Sequence, residues 1–102
     1  MDALRVVGEP RRREILRLVW DRERSAGQIA ATFDVTFGAV SQHLAVLRDA
    51  GFVTVRAAGN QRFYRADRKA LGPLAQALEA MWSSAIDRLA AAAEADHDER
   101  AR

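Results

Sequence analysis

Between residues 25 and 65 the chain reads SAGQIAATFDVTFGAVSQHLAVLRDAGFVTVRAAGNQRFYR, two helical patterns followed by two strand patterns. Ser25-Ala26-Gly27-Gln28 has the form of a capping box, in which the serine hydroxyl accepts from the amide three residues on and the glutamine reaches back to the serine amide. Ile29, Ala30 and Phe33 give this third helix of the chain its inward face. Asp34 and Val35 are turn residues, and a fourth helix is predicted over 36–50, with Val40, Leu44 and Leu47 inward at three- and four-residue spacing. Its outward face is Phe37, Gly38, Ser41, Gln42, Ala45 and Arg48, which offers hydrogen-bonding groups and almost no charge. Gly51 is placed to close the helix in the left-handed region, with Phe52 packing back on Leu47. Residues 52–56 then read as a strand by alternation and by the β-branched Val53, Thr54 and Val55, Gly59-Asn60 is a two-residue hairpin signal, and 61–65 read as the returning strand.

Working outward, residues 2–7 form a short first helix broken at Gly8, and Pro10 stands where a helix tolerates its first residue. A second helix runs over 11–21 with Ile15, Leu16, Leu18 and Val19 on one stripe. Arg11, Arg12 and Arg13 fall in its first turn, where the helix dipole disfavours cations, so the helix itself does not account for them. Contact with a partner is one explanation; solvated arginines held by Glu14 and other neighbours is the better one. Beyond the hairpin, apolar residues recur from Leu71 to Ala93 at three-four spacing, which predicts one helix over 67–95 with Pro73 near its start. A helix of that length spans roughly 40 Å at about 1.5 Å per residue, more than so small a domain can cover. Its uncovered stripe calls for a second copy of the chain. Residues 96–102 are left as a tail, and the donors Glu94, Asp96, His97 and Asp98 form an acidic end that is weak as an ion site.

The expected architecture is therefore mainly α (α+β): a single winged helix-turn-helix domain over 1–102, in the order α-α-α-α-β-β-α. The helix-turn-helix occupies 25–50, a two-stranded wing 52–65, and a dimerisation helix 67–95. The second helix of such a pair enters the DNA major groove. Gly38 lets the backbone approach closely, and Phe37, Ser41, Gln42 and His43 are the candidates for the groove, with Gln28 and Thr36 at the flanking helix starts. Arg48, Arg56, Asn60, Gln61 and Arg62 are candidates for the phosphate backbone or minor groove. Leu4, Val7, Leu74, Leu78, Met81, Trp82, Ala85, Ile86 and Leu89 are the candidate dimer seam.

The 102 residues allow one core and exclude a two-domain enzyme. Net charge is only +2, but it is unevenly spread: residues 1–51 carry +1, 52–69 carry +4 and 70–102 carry −3. A basic middle followed by an acidic end suits contact with nucleic acid on one face. All the cations except Lys69 are arginines, side chains that grip phosphate or carboxylate bidentately. No cysteine is present, which removes disulfides and thiolate metal sites. With no apolar run of membrane-spanning length and no signal pattern at the N-terminus, a cytoplasmic protein is expected. No phosphate loop or placed nucleophile is present, so neither enzyme activity nor a cofactor is expected.

The stretch from Gln28 to Tyr64 resembles the ArsR family of bacterial winged-helix repressors, chiefly through Val40-Ser41-Gln42-His43-Leu44, Leu47-Arg48-Asp49-Ala50-Gly51-Phe52-Val53 and Arg62-Phe63-Tyr64. Gly8-Glu9-Pro10-Arg11-Arg12 with Ile15-Leu16 resembles the family's entry to its second helix. The resemblance implies a homodimer, joined through first and last helices, that binds an inverted-repeat operator and blocks transcription. Family members that sense metal through the third helix use Cys-x-Cys there, and this chain has none. Those that use the last helix begin it Asp-x-His, whereas this chain has Asp67-Arg68-Lys69. No metal site is therefore expected. A repressor switched by a small molecule or metal at the dimer interface, near Met81, Trp82 and Ile86, is the alternative; a winged helix used only for protein contacts would want an acidic or apolar recognition face, the reverse of what stands here.

Overall fold

The computed structural model describes residues 2–84. Its elements are α1 (Ala3–Gly8), α2 (Pro10–Leu18), β1 (Arg24–Ser25), α3 (Ala26–Phe33), α4 (Phe37–Asp49), β2 (Val53–Ala58), β3 (Gln61–Ala66) and α5 (Arg68–Leu71), and residues 73–84 are again helical. The chain groups into two compact units, Met1–Leu71 and Gly72–Arg102. The first holds the helix-turn-helix and its wing, a mainly helical fold with a small antiparallel sheet.

Local chemistry sets most boundaries. The capping box at the start of α3 is complete: Gln28 N donates to Ser25 Oγ at 3.1 Å and Ser25 N to Gln28 Oε1 at 2.9 Å. Asp34 ends α3 in the left-handed region at φ 52°, which aspartate tolerates better than most side chains. Thr36 caps α4, its Oγ1 accepting from Ala39 N at 3.1 Å. At the other end Phe52 N donates to Leu47 O and Gly51 N to Arg48 O, both at 2.9 Å, with Gly51 at φ 82°. Those two bonds are the paired closure of a Schellman motif, and they satisfy carbonyls the helix leaves unbonded. The hairpin turns through Gly59 and Asn60, between partners Ala58 and Gln61, with positive φ at Gly59 alone, the pattern of a type II′ turn.

The core of this unit holds much of the inward face read from the sequence, although Leu18, Ala30 and Phe33, expected on it, are only half-buried. Val40, Leu44 and Leu47 of α4 are buried, as are Ile15 and Leu16 of α2 and Ile29 of α3.

Three features differ from expectation. First, the sheet has a third strand: β1 pairs antiparallel with β3, Arg24 opposite Tyr64 and Ser25 opposite Phe63, giving the order β1-β3-β2. A two-residue strand has no alternation of its own to betray it.

Second, the last helix does not run unbroken from residue 67. Asp67 Oδ1 accepts from Ala70 N at 3.1 Å and starts the single turn of α5, which stops at Gly72 with φ 58°. Pro73 has no amide to donate and crowds the residue before it, so the helix must restart there. Residues 85–95 of the predicted helix, with Ala85, Ile86 and Leu89, and the acidic tail lie outside the described residues.

Third, α2 ends at Leu18 rather than near residue 21, with Val19 as its C-cap. The chain then turns to the sheet, where Ala66 N donates to Val19 O at 2.9 Å.

The arginines at the start of α2 serve its neighbour. Arg12 Nε donates to Val6 O at 2.7 Å, and Arg13 donates to Val7 O at 3.0 Å and Gly8 O at 2.9 Å. These carbonyls close α1, where cations are favoured. Arg11 pairs with Glu14 at 2.9 Å and lies over the Phe33 ring at 5.2 Å.

Candidate nucleic-acid interface

A groove of about 540 Å³ lies between α4 and the wing, lined by Phe37, Ser41, Ala45 and Arg48 from the helix, by Asn60, Gln61, Arg62 and Tyr64 from the hairpin, and by Ser25, Ala26 and Gly27 at the start of α3. The helical period places Phe37, Ser41, Ala45 and Arg48 one above another at intervals of three and four, so a single stripe of α4 faces the groove. Phe37 is 59% exposed, an aromatic ring that the protein's own core does not use. Among the described residues, the side chains of Ser41, Asn60, Gln61 and Arg62 have no hydrogen-bond or ion-pair partner, so their donors and acceptors are open to a ligand. Arg48 is exposed, 3.6 Å from Asp49.

Beyond Asn60 and Gln61 at its tip, the wing contributes one face of its ladder. In the β2–β3 ladder Ala57 opposes Arg62 and Val55 opposes Tyr64, while Arg56 opposes Phe63 and Thr54 opposes Arg65. Alternation along a strand therefore puts Arg62 with Tyr64 toward the groove, and Arg56, Phe63 and Arg65 on the other face.

Six of the residues expected at DNA are thus brought together: Phe37, Ser41, Arg48, Asn60, Gln61 and Arg62. The others sit around this groove or away from it. Gln42 and Gly38 are exposed on α4 beside the lining stripe. The Thr36 hydroxyl and the Gln28 side-chain oxygen are engaged as helix caps. His43 is half-buried on the side of α4 toward α2, its Nδ1 3.8 Å from Glu9 Oε2, and that same carboxylate caps α2 through Arg12 N. Arg56 is bound by Glu23, with Nη2 2.6 Å from Oε1 and Nε 3.1 Å from both oxygens. That hydrogen bond holds the Glu23 carboxyl below its ordinary range, against desolvation and with help from the charges of Arg56 and Arg65, and raises Arg56. Sequence reasoning missed Ser25, Ala26, Gly27 and Tyr64 as lining residues; the strand pairing of Ser25 with Phe63 is what carries the start of α3 up to the wing.

Of the expected seam residues, Leu4 is 66% and Met81 42% exposed, Leu74 and Trp82 are half-buried, and Val7 and Leu78 are buried. Among the described residues no helix is long and apolar enough to cross a membrane.

A capped helix pair with a hairpin beside its second helix, and a groove of open polar groups between them, defines the winged helix-turn-helix class of DNA-binding transcription regulators. Residues 9–55 match the family described as bacterial regulatory protein, arsR family. The HTH-type transcriptional regulator Rv2034 of Mycobacterium tuberculosis is 31% identical over 97 residues, covering 95% of this chain and 91% of that protein. A biofilm growth-associated repressor of Agrobacterium fabrum is 31% identical over 86 residues, covering 84% and 74%. Among solved structures, one described as a possible transcriptional regulator for arsenical resistance is 40% identical, with a TM-score of 0.69 over 89% of this chain and 95% of that one. The fold is also that of a homodimeric winged helix-turn-helix domain from Mycobacterium bovis, at 23% identity and a TM-score of 0.69, covering 79% and 75%. The chain belongs to the ArsR family and is a DNA-binding transcriptional regulator.

Proposed function

We propose that the protein is a homodimeric repressor that sets two copies of α4 in successive major grooves of an inverted-repeat operator. The supporting observation is the groove that gathers Phe37, Ser41 and Arg48 of α4 with Asn60, Gln61 and Arg62 of the wing, the polar side chains of Ser41, Asn60, Gln61 and Arg62 being open to a ligand. In this reading Phe37, Ser41 and the adjoining Gln42 face base edges, while Arg48 and Arg62 meet phosphates and Asn60 and Gln61 track the backbone. Two copies related by a two-fold axis present their helices about 34 Å apart, one turn of duplex, and so read a palindrome. The homodimeric fold relative and the exposed Leu4 and Met81 favour pairing. The repressor-named relative favours occlusion of a promoter as the outcome.

Footprinting on genomic fragments tests this directly. A protected palindrome with half-sites one helical turn apart is the expected result. Equal, weak binding to every duplex would overturn it. On a bound fragment, Arg62→Gln should reduce the slope of log K against log salt by about 0.9 for each phosphate no longer neutralised, and weaken all sequences alike.

A further inference from the structure

We infer that Arg56 is a strut of the wing rather than a contact to DNA, and that Glu23 is the positioning residue that holds it. The inference rests on the operator-binding reading above, but its geometry is separate. Glu23 is the last residue before β1, at one edge of the sheet, and Arg56 lies in β2 at the other, with β3 between them. The guanidinium crosses β3 over the Phe63 ring, 4.8 Å from its centroid, and ends on the Glu23 carboxylate through hydrogen bonds from Nε and Nη2. One side chain thereby ties β2 to β1 across the ring of the strand between them.

This has two physical consequences. Arg56 is one of the residues that charge and position assign to phosphate, since it is an arginine in the basic stretch beside the hairpin. Yet its face of the ladder is the one that carries Phe63, opposite to Arg62 and Tyr64. To reach a phosphate it would have to leave both a carboxylate and an aromatic ring. Conversely, a two-stranded ribbon alone is only marginally stable, and a third strand with a cross-sheet tie limits its twisting. The tie presents Arg62, Asn60 and Gln61 to the duplex from a fixed platform, so less freedom is lost on binding.

The experiment combines amide hydrogen exchange on the free protein with titrations of a mixed-sequence DNA duplex at several salt concentrations. Glu23→Gln and Arg56→Gln are each expected to speed exchange of the β2–β3 amides, by up to about fivefold, the range open to an exposed pair. Both should weaken DNA binding while leaving its salt slope at the wild-type value, whereas Arg62→Gln lowers the slope by about 0.9. The charge swap, Glu23→Arg with Arg56→Glu, should recover slow exchange and most of the affinity. Three results overturn the inference: a slope reduced by Arg56→Gln as by Arg62→Gln, tighter binding on Glu23→Gln because a freed Arg56 finds phosphate, or a swap that stays as weak as Arg56→Glu alone. If the wild-type protein binds no duplex, the operator reading fails instead, and the exchange measurements still decide the strut.

Discussion

Replacing Gly51 by alanine should destabilise the protein through backbone conformation alone. At φ 82° this residue sits in the region that L side chains disfavour, yet a Cβ built there meets no atom within 4 Å. No clash is added, so the cost is that of holding alanine left-handed, about 1–2 kcal/mol. Gly38 supplies the contrast on the same helix: it also has open space around a Cβ but no positive φ, so alanine there fits and should stabilise by about 0.5 kcal/mol. For a chain of this size each kcal/mol moves the thermal midpoint by about 4–8 °C. Gly51→Ala should therefore melt at least about 4 °C below wild type, Gly51→Asn between the two, and Gly38→Ala slightly above wild type, all at one protein concentration because self-association also shifts the midpoint. Urea unfolding should show the same order with an unchanged denaturant slope. Should Gly51→Ala match or exceed wild type, the claim that the paired closure at Gly51 and Phe52 forces a left-handed residue is wrong.

Other outcomes follow from the same physics. Leu44→Ala removes a side chain that is 1% exposed and should cost about 2–5 kcal/mol by urea unfolding, while a probe of α4's outward face such as Gln42→Ala should leave stability within about 0.5 kcal/mol and relax base preference instead. Ser25→Ala deletes one half of the capping box and leaves the Gln28 amide without its acceptor, for a loss of about 0.5–2 kcal/mol, with exchange fastest in the first turn of α3. The Glu23–Arg56 tie depends on pH in a fixed direction. Because the carboxyl is held below its ordinary value of 4.5 in the folded protein, the stability it contributes is present above that value and is lost as pH falls through the lowered one. Wing amides should lose protection in that acid range in wild type and not in Glu23→Gln; identical acid profiles would remove the tie from the account.

What the sequence disclosed was local. Ser25 and Gln28, Gly51 and Phe52, and Gly59 with Asn60 each act within a few residues, so their hydrogen bonds can be read from order alone. The helical face of α4 was legible for the same reason, and with it Phe37, Ser41 and Arg48 on one side of the groove. What escaped depended on distant partners. The strand at Arg24 and Ser25 exists because β3 lies beside it, and the use of Arg12 and Arg13 depends on where the carbonyls of α1 end. The assignment of Arg56 to DNA came from charge and position; the pairing register, which no alternation of charges reveals, puts it on the far face from Arg62. Gly72 went unremarked because three-four spacing continues across it, although spacing does not register a reversal of φ.

The arginines that clamp α1 carry a lesson for anyone shortening the chain. Val6, Val7 and Gly8 offer their carbonyls as the seats for two guanidinium groups that grow from the electropositive beginning of α2. A version begun at Glu9 would discard the seats and keep the occupants, leaving adjacent positive charges crowded against a positive helix end. Such a truncation would unsettle the second helix, and through it the floor beneath α4, well beyond what the loss of one six-residue helix suggests.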